Sequence, residues 1–413
     1  MARRAKILLV GTLAAILPCG AATSQTAPSS VLNNQIQLGD VFSQQTLNVV
    51  EVSDQTVGAT TATGNDFTAG ANRYDADVRS YQEVNGAVSA DTRVNVTGHS
   101  GDVVSLSTTA TGNSGFANGY GATMTGVYTQ ATTAGASVTG HSHVEAPDGS
   151  AGEISSQTQA AGNAQTVGLD YASTGARIGQ NNAATVTTDG GGVYGYVSGT
   201  ASFGATTAAN DVTLSGANGS AARVIVDQNN VAGLTQAAQF TAFGNVQNAL
   251  TTATAAGNNI NASNQGHLLD VDARQSNTAY VRAQADSNAY QYGSGSAVAS
   301  GVGNSIVAGD IGGELLIDTT QYNDQGGIEA VASFTGAEGY DASANASAVG
   351  NSVMGYACSD CEGRMSANNS QISNADVGAQ SLVTVTGSGR SAHGVSNAMG
   401  NSATYYVSRP SGQ

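Results

Sequence analysis

A small-small-Gly-Asn motif returns at a near-constant interval along this chain, and no other feature restricts the fold as strongly. It stands at Ala62-Thr63-Gly64-Asn65, Ala110-Thr111-Gly112-Asn113 and Ala160-Ala161-Gly162-Asn163, then in degenerate form at Thr207-Ala208-Ala209-Asn210. It continues at Ala255-Ala256-Gly257-Asn258, Gly301-Val302-Gly303-Asn304, Ala348-Val349-Gly350-Asn351 and Ala398-Met399-Gly400-Asn401. Successive Asn positions differ by 48, 50, 47, 48, 46, 47 and 50 residues. A period of that length is the signature of stacked units, each of which buries its apolar face only against its neighbours.

A second marker fixes the register. Seventeen residues after the repeat Asn come Gln82, Gln130, Gln180, Gln275 and Gln321; the degenerate copy has Gln228 at eighteen. Gln35 fits one period earlier, and the copy beginning at Asn351 has Asn368 at seventeen. Four copies add Asn182, Asn230, Asn277 and Asn323 two residues further on.

The residues before each Gln alternate. Val224, Val226 and Gln228 share one parity, as do Leu269, Val271, Ala273 and Gln275, while Asp270, Asp272 and Arg274 take the other. Period two means a strand with one buried face, and the Gln lies on that face. An unpaired buried amide costs a few kcal/mol. A column of identical Gln removes the cost, because each amide donates to one neighbour and accepts from the other. Gln82, Gln130, Gln180, Gln228, Gln275, Gln321 and Asn368 are therefore expected to form a ladder. Asn65, Asn113, Asn163, Asn210, Asn258, Asn304, Asn351 and Asn401 are expected at corners, where Gly-Asn suits positive φ.

These features specify an all-β chain: a parallel β-solenoid of about eight repeats of about 48 residues. A narrow interior suits the composition, with 54 Gly, 7 Phe and no Trp. One repeat is either one large coil or two coils of half the length. The smaller coil is favoured, and coils stacked about 4.8 Å apart would then give a rod on the order of 75 Å. Length varies mainly at His141–Glu153 and Tyr356–Arg364, which read as surface loops.

Met1 to about Ser24 reads as a secretory signal, with Arg3, Arg4 and Lys6 before an apolar run, Ile7–Leu17, too short to span a bilayer. The solenoid domain is assigned to 25–413. Pro18 precedes Cys19, unlike the small residue of a lipid-attachment site. Losing the three cations takes the formal charge from −16 to −19. Such an acidic chain repels phosphate backbones, which excludes nucleic acid as a partner.

Cys358 and Cys361 are expected to form a local disulfide in an exported chain. His141 and His143 lack further ligands and read as solvated. No cofactor motif, metal-binding set or clustered carboxylate pair appears, which argues against an enzyme. Aromatic girdles are missing, which argues against a membrane barrel. Tyrosines gather at Tyr120 and Tyr128, Tyr194 and Tyr196, and Tyr290 and Tyr292; they suit either stacking on sugar rings or packing along the rim.

The stretch Leu38-Gly39-Asp40-Val41-Phe42-Ser43-Gln44-Gln45-Thr46-Leu47-Asn48-Val49-Val50-Glu51-Val52-Ser53-Asp54-Gln55, with Thr60-Thr61-Ala62-Thr63-Gly64-Asn65 after it, resembles the holdfast anchoring protein HfaD family of stalked alphaproteobacteria. The leader, length and Gly-Asn repeat are similar to that family as well. The resemblance implies a polymerising, outer-membrane-associated anchor. Its implied partners are the holdfast polysaccharide, other holdfast anchor proteins and further copies of itself. A self-standing adhesin or fibre subunit is the alternative, with a β-helical polysaccharide enzyme behind it.

Overall fold

The computed structural model describes residues 28–358 and 363–408. The leader therefore lies outside the described residues, and so does Cys361 of the expected disulfide. All twenty elements are strands, and every pairing is parallel.

The strands wind coil by coil. The first coil comprises β1 (Ser29–Gln37), β2 (Val41–Val52) and β3 (Gln55–Asn72). The second has β4 (Ala76–Val84), β5 (Ala87–Ser100) and β6 (Val103–Tyr120); the third has β7 (Thr123–Thr132), β8 (Ser137–Ala151) and β9 (Glu153–Asp170). In the next four coils the second and third strands run together: β10 (Ser173–Asn182) with β11 (Thr185–Ala217), β12 (Ala221–Asn230) with β13 (Leu234–Asn264), β14 (Leu268–Asn277) with β15 (Tyr280–Ile311), and β16 (Glu314–Asn323) with β17 (Ile328–Cys358). The last coil separates again into β18 (Arg364–Ser373), β19 (Val377–Val385) and β20 (Ser391–Ser408).

One repeat is one coil, which corrects the expectation of two smaller ones. Gln35 pairs with Gln82, Gln82 with Gln130 and Gln180 with Gln228, each a full repeat apart. The first face is an 8-stranded sheet, β1-β4-β7-β10-β12-β14-β16-β18. Its seven steps of about 4.8 Å span about 34 Å, less than half the 75 Å expected.

A large coil stays narrow because it is pinched. Along β3 the inward side chains run Thr56, Gly58, Thr60, Ala62 and then switch parity to Asn65, Phe67 and Ala69. β6 switches likewise after Ala110, to Asn113 and Ala117. The chain bends inward at each switch. A Cβ on Gly64 would lie 2.6 Å from the Gly112 carbonyl oxygen and 2.9 Å from Val84 Cγ2. Gly-Asn therefore forms a waist that touches the opposite corner, between β4 and β5. The waist divides the interior into two lobes. One holds Phe67, Met124, Ile178 and Leu269, the other Leu106, Phe203, Phe243 and Phe334. Small residues, among them Ala62, Ala110 and Ala160, fill the pinch itself.

The conformational reason expected for Gly-Asn is also corrected. Positive φ occurs at Arg73, Tyr171, Asn218 and Gln325, and at Gly101, Gly121, Gly219 and Gly312. All eight lie in breaks between strands, and none belongs to a Gly-Asn pair. At six waists Gly is favoured by the approach of the next coil's carbonyl, 2.4–2.6 Å from where a Cβ would stand, and not by its own torsion; one coil accommodates Ala209 there.

Candidate functional site

Two amide columns cross each coil at the waist. Gln82, Gln130, Gln180, Gln228, Gln275 and Gln321 each donate Nε2 to the Gln Oε1 one coil earlier, at 2.7–2.9 Å, beginning at Gln35. The other Nε2 hydrogen of each goes to the backbone carbonyl just after the waist Asn of the same coil, at 2.9–3.0 Å. Asn65, Asn113, Asn163, Asn210, Asn258, Asn304 and Asn351 donate the opposite way, to the Asn Oδ1 one coil later, at 2.7–2.8 Å and ending at Asn401. Each of those seven also reaches the backbone carbonyl following the ladder Gln, at 2.8–3.1 Å. The columns thus strap the two sides of the pinch together, and every buried amide N–H in them finds an acceptor. Asn182, Asn230, Asn277 and Asn323 form a shorter column with bonds of 2.8–2.9 Å.

The last rung differs from expectation. Gln371, not Asn368, sits opposite Gln321 and donates to its Oε1 at 2.7 Å. Asn368 lies on the outer face opposite Asp318, donating to its Oδ1 at 3.1 Å. The sequence between Cys358 and Arg364 is three residues longer than the matching stretch between Ile311 and Glu314, so a count of seventeen from Asn351 falls short. Gln371 was visible in the sequence as a Gln fifty residues after Gln321.

The columns end on open faces. Gln82 and Gln228 are 0% exposed, whereas Gln35 and Gln371 are part-exposed. The inward residues of β2, Val41, Ser43, Gln45, Leu47 and Val49, are likewise part-exposed, as are Val377, Ala379, Ser381, Val383 and Val385 of β19. Each end coil is paired on one side only. Among the described residues, nothing donates to Gln371 Oε1.

The family model for holdfast attachment protein D matches residues 50–327. The chain belongs to the holdfast attachment protein D family. Membership makes it a structural attachment protein of the cell surface, associated with the holdfast and its anchor components. Nothing among curated proteins or solved structures matches it. The family match runs from the end of β2 to the start of β17, so β1 and the whole last coil fall outside it. The match thus covers the strands from β3 to β16.

Other polar groups lie off the columns. The His141 and His143 rings stack 6.4 Å apart, and His143 Nε2 is 3.1 Å from Glu145 Oε2. No group of three or more His, Cys, Asp or Glu among the described residues could hold a metal ion.

Asp310 is 0% exposed, on β15 beside Asn264 of β13. Burial pushes its carboxyl up to about 6; the Gly266, Ile311 and Leu269 amides and the Asn264 side chain offset part of this without reaching hydrogen-bond geometry. The folded chain therefore holds the proton more tightly than the unfolded chain, whose carboxyl titrates near ~4. This contribution is full below ~4 and is lost as pH rises through about 6. Thermal unfolding midpoints should fall from pH 4 to pH 7, and Asp310→Asn should flatten that fall.

Proposed function

We propose that the chain anchors the adhesive polysaccharide holdfast to the outer membrane by stacking end to end on further copies of itself. One observation carries this reading: the two end coils have the same internal spacing. Gln35 to Val41 is 6 residues and Val41 to Asn65 is 24; Gln371 to Val377 is 6 and Val377 to Asn401 is 24. Val41 and Val377 occupy one column, which passes through Val88, Val138, Val186, Thr235, Val281 and Ile328.

A second copy set against the last coil would therefore meet it as each coil meets the next. Its Gln35 would donate to Gln371 Oε1, and Asn401 would donate to its Asn65 Oδ1. Val41 and Leu47 would cover Val377 and Val383. Unpaired parallel edges template such addition, and amide columns make it durable in the way of cross-β assemblies. The contact is heterologous and does not close, so it generates an open filament. Many copies along a filament multiply weak sugar contacts into firm attachment.

Deletion of the gene tests the anchoring role. Cells that shed intact adhesive into the medium support it. Cells that make no adhesive, or that hold it as before, contradict it.

A further inference from the structure

The corner between the second and third faces carries a cleft of about 450 Å³ on the later coils. Its floor is bare backbone. A Cβ on Gly293 would stand 2.4 Å from the Gln247 carbonyl oxygen, and one on Gly339 would stand 2.5 Å from that of Tyr292. Side chains rise only from the flanks.

One flank is a column that runs Tyr196, Asn245, Gln291 and Glu338 in successive coils. On the N-terminal side the same column continues through Ser150 to His99. Stacking favours identity on inward amide columns, as the Gln and Asn rungs show. Here every step differs and the side chains point outward, so packing does not dictate them. Tyrosines bound the cleft at both ends: Tyr196 is 50% exposed and Tyr340 is 62% exposed.

The Tyr340 ring is held in place. The Arg390 guanidinium lies over it at 5.7 Å, while Arg390 Nε donates to Asp341 Oδ1 at 3.0 Å. Arg390 and Ser391 together hold the Asp341 carboxyl down at about 2, so the clamp persists through the acid range. A fixed aromatic face with amides beside it is the equipment for sugars: the ring covers the C–H face of a pyranose, and the amides pair with its hydroxyls.

We propose that this cleft binds an oligosaccharide of roughly three rings, one per coil step between Tyr196 and Tyr340. Both tyrosines stack on the terminal rings. Asn245, Gln247 and Gln291 take the hydroxyls between them. Glu338 is the only charged residue lining the cleft and favours an amino sugar at that end. The assignment rests on the reading that the chain contacts the adhesive polysaccharide.

Calorimetric titration of the mature chain with cellotriose, the N-acetylglucosamine trimer and the glucosamine trimer tests it. Saturable one-site binding is expected, tightest for the glucosamine trimer. Tyr340→Ala and Tyr196→Ala should each weaken it about tenfold or more. Tyr340→Phe should leave it within about threefold and so controls for folding. Glu338→Gln should remove the preference for the amino sugar, and Tyr171→Ala, on a distant corner, should change nothing. Absence of saturable binding for all three trimers, or binding indifferent to both alanine variants, overturns the assignment. If adhesive is shed on gene deletion but no trimer binds, the cleft is wrong and anchoring stands. Trimer binding that depends on Tyr340, without shedding on deletion, gives the reverse.

Discussion

Gln228→Ala should lower the stability of the middle coils by about 3–5 kcal/mol, the combined cost of a core cavity and broken buried hydrogen bonds. The side chain is 0% exposed. It donates to Gln180 Oε1 and to the Asn259 carbonyl, and it accepts from Gln275. Removal leaves all three short of a partner where water cannot replace it. Gln228→Glu should be worse at neutral pH, because a carboxylate there is acceptor-only and must lose its hydration. Gln35→Ala removes the same chemistry from an open coil, where solvent can reach the bereft groups, and should cost at most about 1 kcal/mol. Because coil stability adds by neighbours, hydrogen exchange resolved by coil is the measurement. Protection should fall around Gln180, Gln228 and Gln275 for the first variant and only in the first coil for the last. Equal losses from Gln228→Ala and Gln35→Ala would mean that the column does not carry the fold.

Val383→Lys should abolish end-to-end assembly while leaving the chain folded. Val383 is an inward residue of β19 that no further coil covers. A lysine there can reach solvent in the single chain. A docking copy would bury that ammonium against its own Leu47, at a cost of several kcal/mol. The effect should have a direction. The variant's first coil is unchanged, so it can add to the open last coil of a wild-type filament and then offer nothing to the next copy. Small amounts should shorten wild-type filaments, as seen by electron microscopy or sedimentation. Leu32→Lys, on an outer face that is 77% exposed, should do neither. Full-length filaments from Val383→Lys alone would exclude the in-register junction.

Much of the fold was legible in the sequence because stacking demands copy-to-copy identity at inward polar positions. Gln82, Gln130 and Gln180 could be recognised for that reason alone. Other parts were hidden for identifiable causes. The period gives the length of a coil but not the path of its perimeter, so the single waisted coil could not be told from two smaller ones. Gly64 suggested a left-handed turn, yet its requirement comes from the Gly112 carbonyl 48 residues away. Asn368 was misplaced because three inserted residues broke the count to Gln371. The Tyr196–Glu338 column was invisible for the opposite reason to the ladder. Its members share no residue type, and bulges between Val197 and Thr200 and between Tyr194 and Tyr196 shift their spacing.

The two long amide columns donate in opposite senses, one toward each end of the rod. Aligned dipoles summed in one sense would accumulate partial charge at the termini, as the peptide units of a helix do. Here the Gln and Asn contributions oppose one another at every coil. The two waist columns therefore add little net polarity along the rod, and the shorter Asn182–Asn323 column, which donates toward the last coil, is the one left unopposed.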